Sequence, residues 1–224
     1  MPRISSNPGF CRGSRATRIL NSLEPTRQLC VLICRRGARL KPHVGQAEGK
    51  AVVKLLDPSK DKREAFLRMA QDWLNHGNDR YRLALEDFDA YLARVHRFRD
   101  AAQIPVGWVP GTEFWLDDNA GEIVACVRLR FWLTPSLEVE GGHIGYDVRP
   151  SSRGRGFGTA ALGLVLPEAR HRGLERVRLT VDADNLPSIK IIERNGGILS
   201  GEAISEKTGK PIKQYWIDMS RCGA

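Results

Sequence analysis

Between residues 143 and 171 the hydrophobic period of the chain changes, and glycine and arginine punctuate the switch. Ile144, Tyr146 and Val148 alternate with His143, Gly145 and Asp147, the two-residue period of a half-buried strand. Arg149-Pro150-Ser151-Ser152-Arg153-Gly154-Arg155-Gly156-Phe157-Gly158 follows. Phe157, Ala160, Ala161, Leu164 and Val165 then recur at helical spacing. Strand, glycine-rich loop and helix form a recurrent phosphate-binding arrangement. Glycines let backbone N–H groups approach oxygens closely, and a helix start carries partial positive charge. Two common spellings fail here. A P-loop needs a Lys after its last glycine, and Thr159 follows Gly158. A dinucleotide fingerprint needs a third glycine where Thr159 stands. The residues spell R-x-x-G-x-G instead (Arg153, Gly156, Gly158), preceded by Val148 and Pro150.

The surrounding sequence predicts an α/β chain with a mixed, mainly antiparallel sheet of six to seven strands and about four helices. A short strand at 52–56 precedes a helix carrying Phe66, Ala70 and Trp73, and a second helix from near Glu86 carries Phe88, Tyr91 and Val95. Residues 112–116 and 123–131 form a hairpin around Asp117-Asp118-Asn119-Ala120-Gly121, and 135–142 reads as a loop. The helix after the glycine loop contains Pro167, which predicts a kink. A strand at 177–181, a helix opened by Pro187 and a closing hairpin at 197–219 complete the tally.

Charge divides the chain unevenly. The formal net charge of the 224 residues is +9, which taken whole points to a polyanionic partner. Residues 1–50 hold ten basic side chains against two acidic ones, leaving 25 against 24 in the remainder. We read 1–50 as a basic extension, disordered or mis-started. A transit peptide and a nucleic-acid-binding arm are the other two readings. Residues 51–221 are then the folded domain. The longest apolar run, 29–34, falls far short of the ~18 residues that a membrane span needs. Five cysteines, with Cys30 and Cys34 lacking a second pair or nearby histidines, read as reduced thiols of a cytoplasmic protein without a metal site.

The R-x-x-G-x-G loop, the N-L-P-S segment from Asn185 to Ser188 and the Asn195-Gly196-Gly197 stop resemble the GCN5-related N-acetyltransferases over roughly residues 52–219. The stretch G-G-H-I-G-Y-D-V-R-P, with the closing Y-W-I-D-M, is similar to a bacterial subgroup of predicted acetyltransferases. The resemblance implies acetyl-CoA as acyl donor, no metal, and an amine acceptor that is a small molecule, a peptide N-terminus or a lysine.

Site residues follow from the same resemblance. Backbone N–H groups of Arg153, Gly154, Arg155, Gly156, Phe157, Gly158 and Thr159 would hold the coenzyme A pyrophosphate. Tyr146, Asp147 and Val148 would pair with the pantetheine arm and polarise the thioester carbonyl. Asn185 and Ser188 would contact the cofactor arm. The tyrosine that the family often uses as proton donor falls at Ile192 here. Tyr146 and Tyr215 are the substitutes, and Glu140, His143 and Glu113 are the candidate bases, with the first two at the mouth of the thioester strand. The loop at 135–142 is acidic through Glu138 and Glu140, which suits a cationic amine. Two other functions stay open: an acyl-CoA sensor of the same fold that does not turn over, and a nucleic-acid-associated protein, the less favoured of the two. The chain is expected as a monomer or homodimer without membrane attachment.

Overall fold

Hydrophobic alternation and helical spacing translate into the elements of a computed structural model, which describes residues 53–221. The expectations for residues 1–50 and for Cys11, Cys30, Cys34 and Cys222 lie outside the described residues. In chain order the elements are β1 (Lys54–Leu56), α1 (Arg63–Asn75), α2 (Arg82–Glu86), α3 (Phe88–Arg97), β2 (Gly111–Asp117), β3 (Ile123–Arg130), α4 (Pro135–Val139), β4 (Ile144–Val148), α5 (Phe157–His171), β5 (Arg176–Asp182), α6 (Leu186–Arg194), β6 (Ile198–Ile204) and β7 (Pro211–Asp218).

One local reading changes. The 135–142 loop contains the short helix α4, because Thr134 accepts from the Leu137 N–H and Pro135 sits in the first turn. The expected second helix is α3, and the short α2, which the sequence did not lead us to expect, precedes it: Asp87 leaves helical geometry between them and caps α3, accepting from the Ala90 N–H. The expected helix after the glycine loop is α5, which holds Pro167 inside it and runs on to His171.

The predicted single mixed sheet is two antiparallel sheets, β1-β2-β3-β4 and β5-β7-β6. Side chains from both faces of β2 and β3 are buried. On one face Leu162 and Val165 of α5 and Ile189 and Ile192 of α6 pack in one core with Val127 and Leu129 of β3 and Leu179 of β5. On the other, α1 to α3 bring Phe66, Met69 and Tyr91 against Trp115, with the Phe66 and Trp115 rings stacked at 4.2 Å.

Where β4 and β5 meet decides where a ligand can enter. At its start β4 is tied to β5: the His143 N–H donates to the Arg178 carbonyl (2.7 Å), the Arg178 N–H donates to His143 Nδ1 (2.9 Å), and the Gly141 N–H donates to Thr180 Oγ1 (2.9 Å). Gly142 permits this approach. Its φ is +63°, and a Cβ there would run into the Arg178 backbone. Beyond that tie no ladder joins β4 to β5. On the β3 side, the Arg130 N–H donates to the His143 carbonyl (2.8 Å) and the Arg149 N–H to the Val124 carbonyl (2.9 Å). The antiparallel alternation between those two bonds turns the backbone of Gly145 and Asp147 toward β3 and that of Tyr146 and Val148 toward the gap.

Candidate active site

The glycine loop is a backbone cradle braced from behind. After β4, residues 150–152 make one 3-10 turn. Gly156 adopts φ +86° at the N-cap of α5, with no side chain capping the helix. The first N–H groups of α5 therefore have no side-chain acceptor, and a Cβ on Gly156 would meet nothing within 4 Å. Helix α1 holds the loop in place. The Ser151 N–H donates to Asp72 Oδ2 (3.0 Å), and Arg149 bridges Asp72 (3.4 Å) to Glu122 (2.9 Å). Burial pushes the Asp72 carboxyl up, but the Ser151 hydrogen bonds and Arg149 outweigh it and hold that carboxyl below its ordinary range.

A cavity of about 620 Å³ lies along this cradle and the open edge of β4. Tyr146, Asp147 and Val148 line it, as do Arg153, Gly154, Gly156, Phe157, Gly158 and Thr159 from the loop and Asn185 and Ser188 from the start of α6. Of the sequence-predicted cofactor residues only Arg155 is not among its lining; its guanidinium sits over the Phe157 ring at 4.9 Å. Asn185 caps α6 by accepting from the Ser188 N–H (3.2 Å). Sequence reasoning missed Trp73, Lys190, Ile191 and Arg194, which also line the cavity from α1 and α6. Lys190 and Arg194 are four residues apart on one helical face, a signal that could have been found. Trp73 carried none, since its spacing is that of a core residue.

A second cavity of about 390 Å³ shares Tyr146, Asp147, Asn185 and Ser188 with the first. Its other polar walls are Arg80, Arg128, Glu140, Thr180 and Asp182. Asp147 is ion-paired to both Arg80 and Arg128 and accepts from the Tyr81 hydroxyl (3.3 Å). Glu140 accepts from Ser205 Oγ (3.0 Å), with Lys207 Nζ 3.9 Å away. The Tyr146 hydroxyl shares a hydrogen bond with Ser188 Oγ (2.7 Å), and burial pushes its pKa up to about 12 against the opposing pull of that bond.

The remaining candidates lie away from both linings. His143 uses Nδ1 to accept the Arg178 N–H, and burial with Arg130 and Arg178 nearby lowers its pKa to about 4. Glu113 is buried, with one oxygen accepting from the Tyr91 hydroxyl (2.6 Å) and the Trp115 indole (2.9 Å). Tyr215 is buried on β7, its hydroxyl 3.5 Å from Glu193. Ile192, at the position of the family tyrosine, is fully buried. No cluster of metal-ligating side chains occurs among the described residues.

The profile of the acetyltransferase (GNAT) family matches residues 67–197, more than half of the chain, from within α1 through the cradle to the end of α6. The chain belongs to the GNAT acetyltransferase family. GNAT membership makes it an acyl-CoA N-acetyltransferase. No curated protein sequence matches the chain. Solved structures share the fold at low identity. Mycobacterium smegmatis RimJ in complex with CoA-disulfide is 20% identical with a TM-score of 0.58, covering 78% of this chain and 85% of that one. Salmonella typhimurium yncA with its cofactor acetyl-CoA is 15% identical with a TM-score of 0.51, covering 78% and 98%. A spermidine N-acetyltransferase SpeG chimera from Vibrio cholerae and hSSAT is 15% identical with a TM-score of 0.54, covering 76% and 97%. Among the described residues no helix is long and apolar enough to cross a membrane.

Proposed function

We propose that this GNAT protein transfers the acetyl group of acetyl-CoA to a primary amine in the cytoplasm, through the domain spanning residues 51–221. One observation carries this reading: a cavity joins an uncapped helix N-terminus and a glycine cradle to the unpaired edge of β4. Its residues fit coenzyme A. The N–H groups following Gly156 suit a pyrophosphate, Lys190 and Arg194 add positive charge, and the Tyr146 and Val148 backbone offers the strand pairing that an amide-bearing arm needs. When bound, acetyl-CoA supplies an activated acetyl thioester.

The chain's own groups handle two protons. An alkyl amine is mostly protonated at neutral pH, its pKa being ~10. Glu140 is the group we assign to take up that proton, because it lines the second cavity and carries a carboxylate there. The Tyr146 hydroxyl keeps its proton at neutral pH and is the donor we assign for a departing thiol sulfur, with Ser188 Oγ as its relay. A backbone N–H of the open β4 edge stabilises negative charge on a carbonyl oxygen. His143 acts by position, holding the start of β4 against β5.

The experiment is release of free thiol from acetyl-CoA by the full chain with a panel of amines, for wild type and Glu140→Gln. We expect amine-dependent thiol release and, in the variant, a kcat lowered by roughly a hundredfold or more, the usual scale for a lost general base. A second reading, an acyl-CoA sensor without turnover, is favoured by the apolar side chain at Ile192. It predicts tight acetyl-CoA binding with no amine-dependent thiol release.

A further inference from the structure

The second cavity carries more information about the acceptor than the acidic 135–142 segment does. Its two guanidiniums, Arg80 and Arg128, converge on the single carboxylate of Asp147. Each guanidinium carries five N–H donors, and the pairing with Asp147 uses only part of them. The next acid, Glu113, sits 3.9 Å from Arg128 and is already bonded by Tyr91 and Trp115. Arg80 comes from the segment between α1 and α2 and lies over the Trp73 ring, 5.1 Å from its centroid, so the indole supports it beside the cavity. The remaining acids of the lining are Glu140 and Asp182, supplied by the α4–β4 connection and by the end of β5. The lining therefore holds two guanidiniums that share Asp147 and two further carboxylates, Glu140 and Asp182.

Resting on the acetyltransferase reading, we propose that the acceptor is a small zwitterion, an amino acid or a similar primary amine bearing a carboxylate, whose carboxylate is held by Arg80 and Arg128 while its ammonium faces Glu140. A planar carboxylate suits the guanidinium fork in charge and geometry. A polyamine would place a second positive charge against two arginines whose nearest carboxylates, Asp147 and Glu113, are already engaged. A phosphate dianion would bring a second negative charge against Asp147, Glu140 and Asp182. The volume of about 390 Å³ fits a molecule of amino-acid size.

The test is calorimetric titration of the full chain, saturated with CoA, with a set of free amino acids, their carboxamides and spermidine, alongside acetyl transfer to the same set. We expect the best amino acid to bind about tenfold or more tighter than its carboxamide, with the same preference in kcat/KM. In Arg80→Gln that ratio should fall to near one, and Arg80→Lys should restore part of it. Equal binding of the carboxamide, tighter binding of spermidine, or a ratio that survives Arg80→Gln would overturn the inference. So would acetyl-CoA binding with no amino acid bound. Failure of acetyl-CoA itself to bind marks the loss of the underlying reading instead.

Discussion

The Tyr146 hydroxyl and Ser188 Oγ lie 2.7 Å apart and join β4 to α6 at the point where the two cavities share their walls. On the proposed reading these two hydroxyls, which line both cavities, stand beside the reacting groups.

Removing the phenol should therefore reach the chemical step more than binding. We expect Tyr146→Phe to lower kcat by roughly a hundredfold or more, the usual scale for a lost general acid. Ser188→Ala should lower it less. Because burial holds the Tyr146 pKa at about 12, its hydroxyl stays protonated through the ordinary assay range, and this group adds no alkaline limb there. Steady-state kinetics across pH check both statements.

His143 makes stability depend on acid. Its pKa is about 4 in the fold against 6.5 ordinarily, so the folded state favours the neutral ring. That stabilisation is present above pH 6.5 and is lost as pH falls toward 4. The shift corresponds to roughly 3 kcal/mol. His143→Asn keeps an acceptor for the Arg178 N–H but cannot titrate. Urea unfolding at neutral and acid pH should show a smaller loss for the variant than for wild type.

The two glycines at the helix start should fail differently. Gly156→Ala strains a residue at φ +86° and costs about 1 kcal/mol of stability. Its methyl also enters the cradle, so acetyl-CoA affinity should drop further than stability does. A Cβ on Gly158 would lie 2.5 Å from Ile191 Cδ1 and 3.3 Å from Val148 Cγ2, an overpacking cost of about 1–3 kcal/mol. Thermal unfolding with and without acetyl-CoA separates the two.

Asp72 touches the loop from behind. Asp72→Ala removes the acceptor for the Ser151 N–H and one partner of Arg149. We expect KM for acetyl-CoA to rise about fivefold, equivalent to one lost hydrogen bond of about 1 kcal/mol, with kcat changed less.

How much of this was legible follows from the range of each interaction. The cradle is local in sequence: strand period, glycines and helix start lie within thirty residues, and Asn185 with Ser188 forms a cap inside one turn. Such features can be read from order alone. The brace of the cradle is not local, because Asp72 and Ser151 are 79 residues apart. Asp147 read as a strand residue of the face opposite Tyr146, which is correct, but nothing in the sequence shows that Arg80 and Arg128 meet on it. Glu140 and His143 looked alike at the mouth of β4. Their backbones separate them, since the left-handed Gly142 turns β4 against Arg178 and occupies the His143 ring there. The division into two sheets arises because β4 and β5 have no ladder beyond that close approach, which no hydrophobic pattern encodes.

The account stands on whether the cavity beside Gly156 holds the acyl donor. Calorimetric titration of the full chain with acetyl-CoA measures this directly. The account predicts saturable one-to-one binding with a Kd of about 1–100 µM, within the usual range for an enzyme and its substrate, weakened at least severalfold by Gly156→Ala. Absence of binding at millimolar acetyl-CoA, or equal binding by the Gly156→Ala protein, would contradict it.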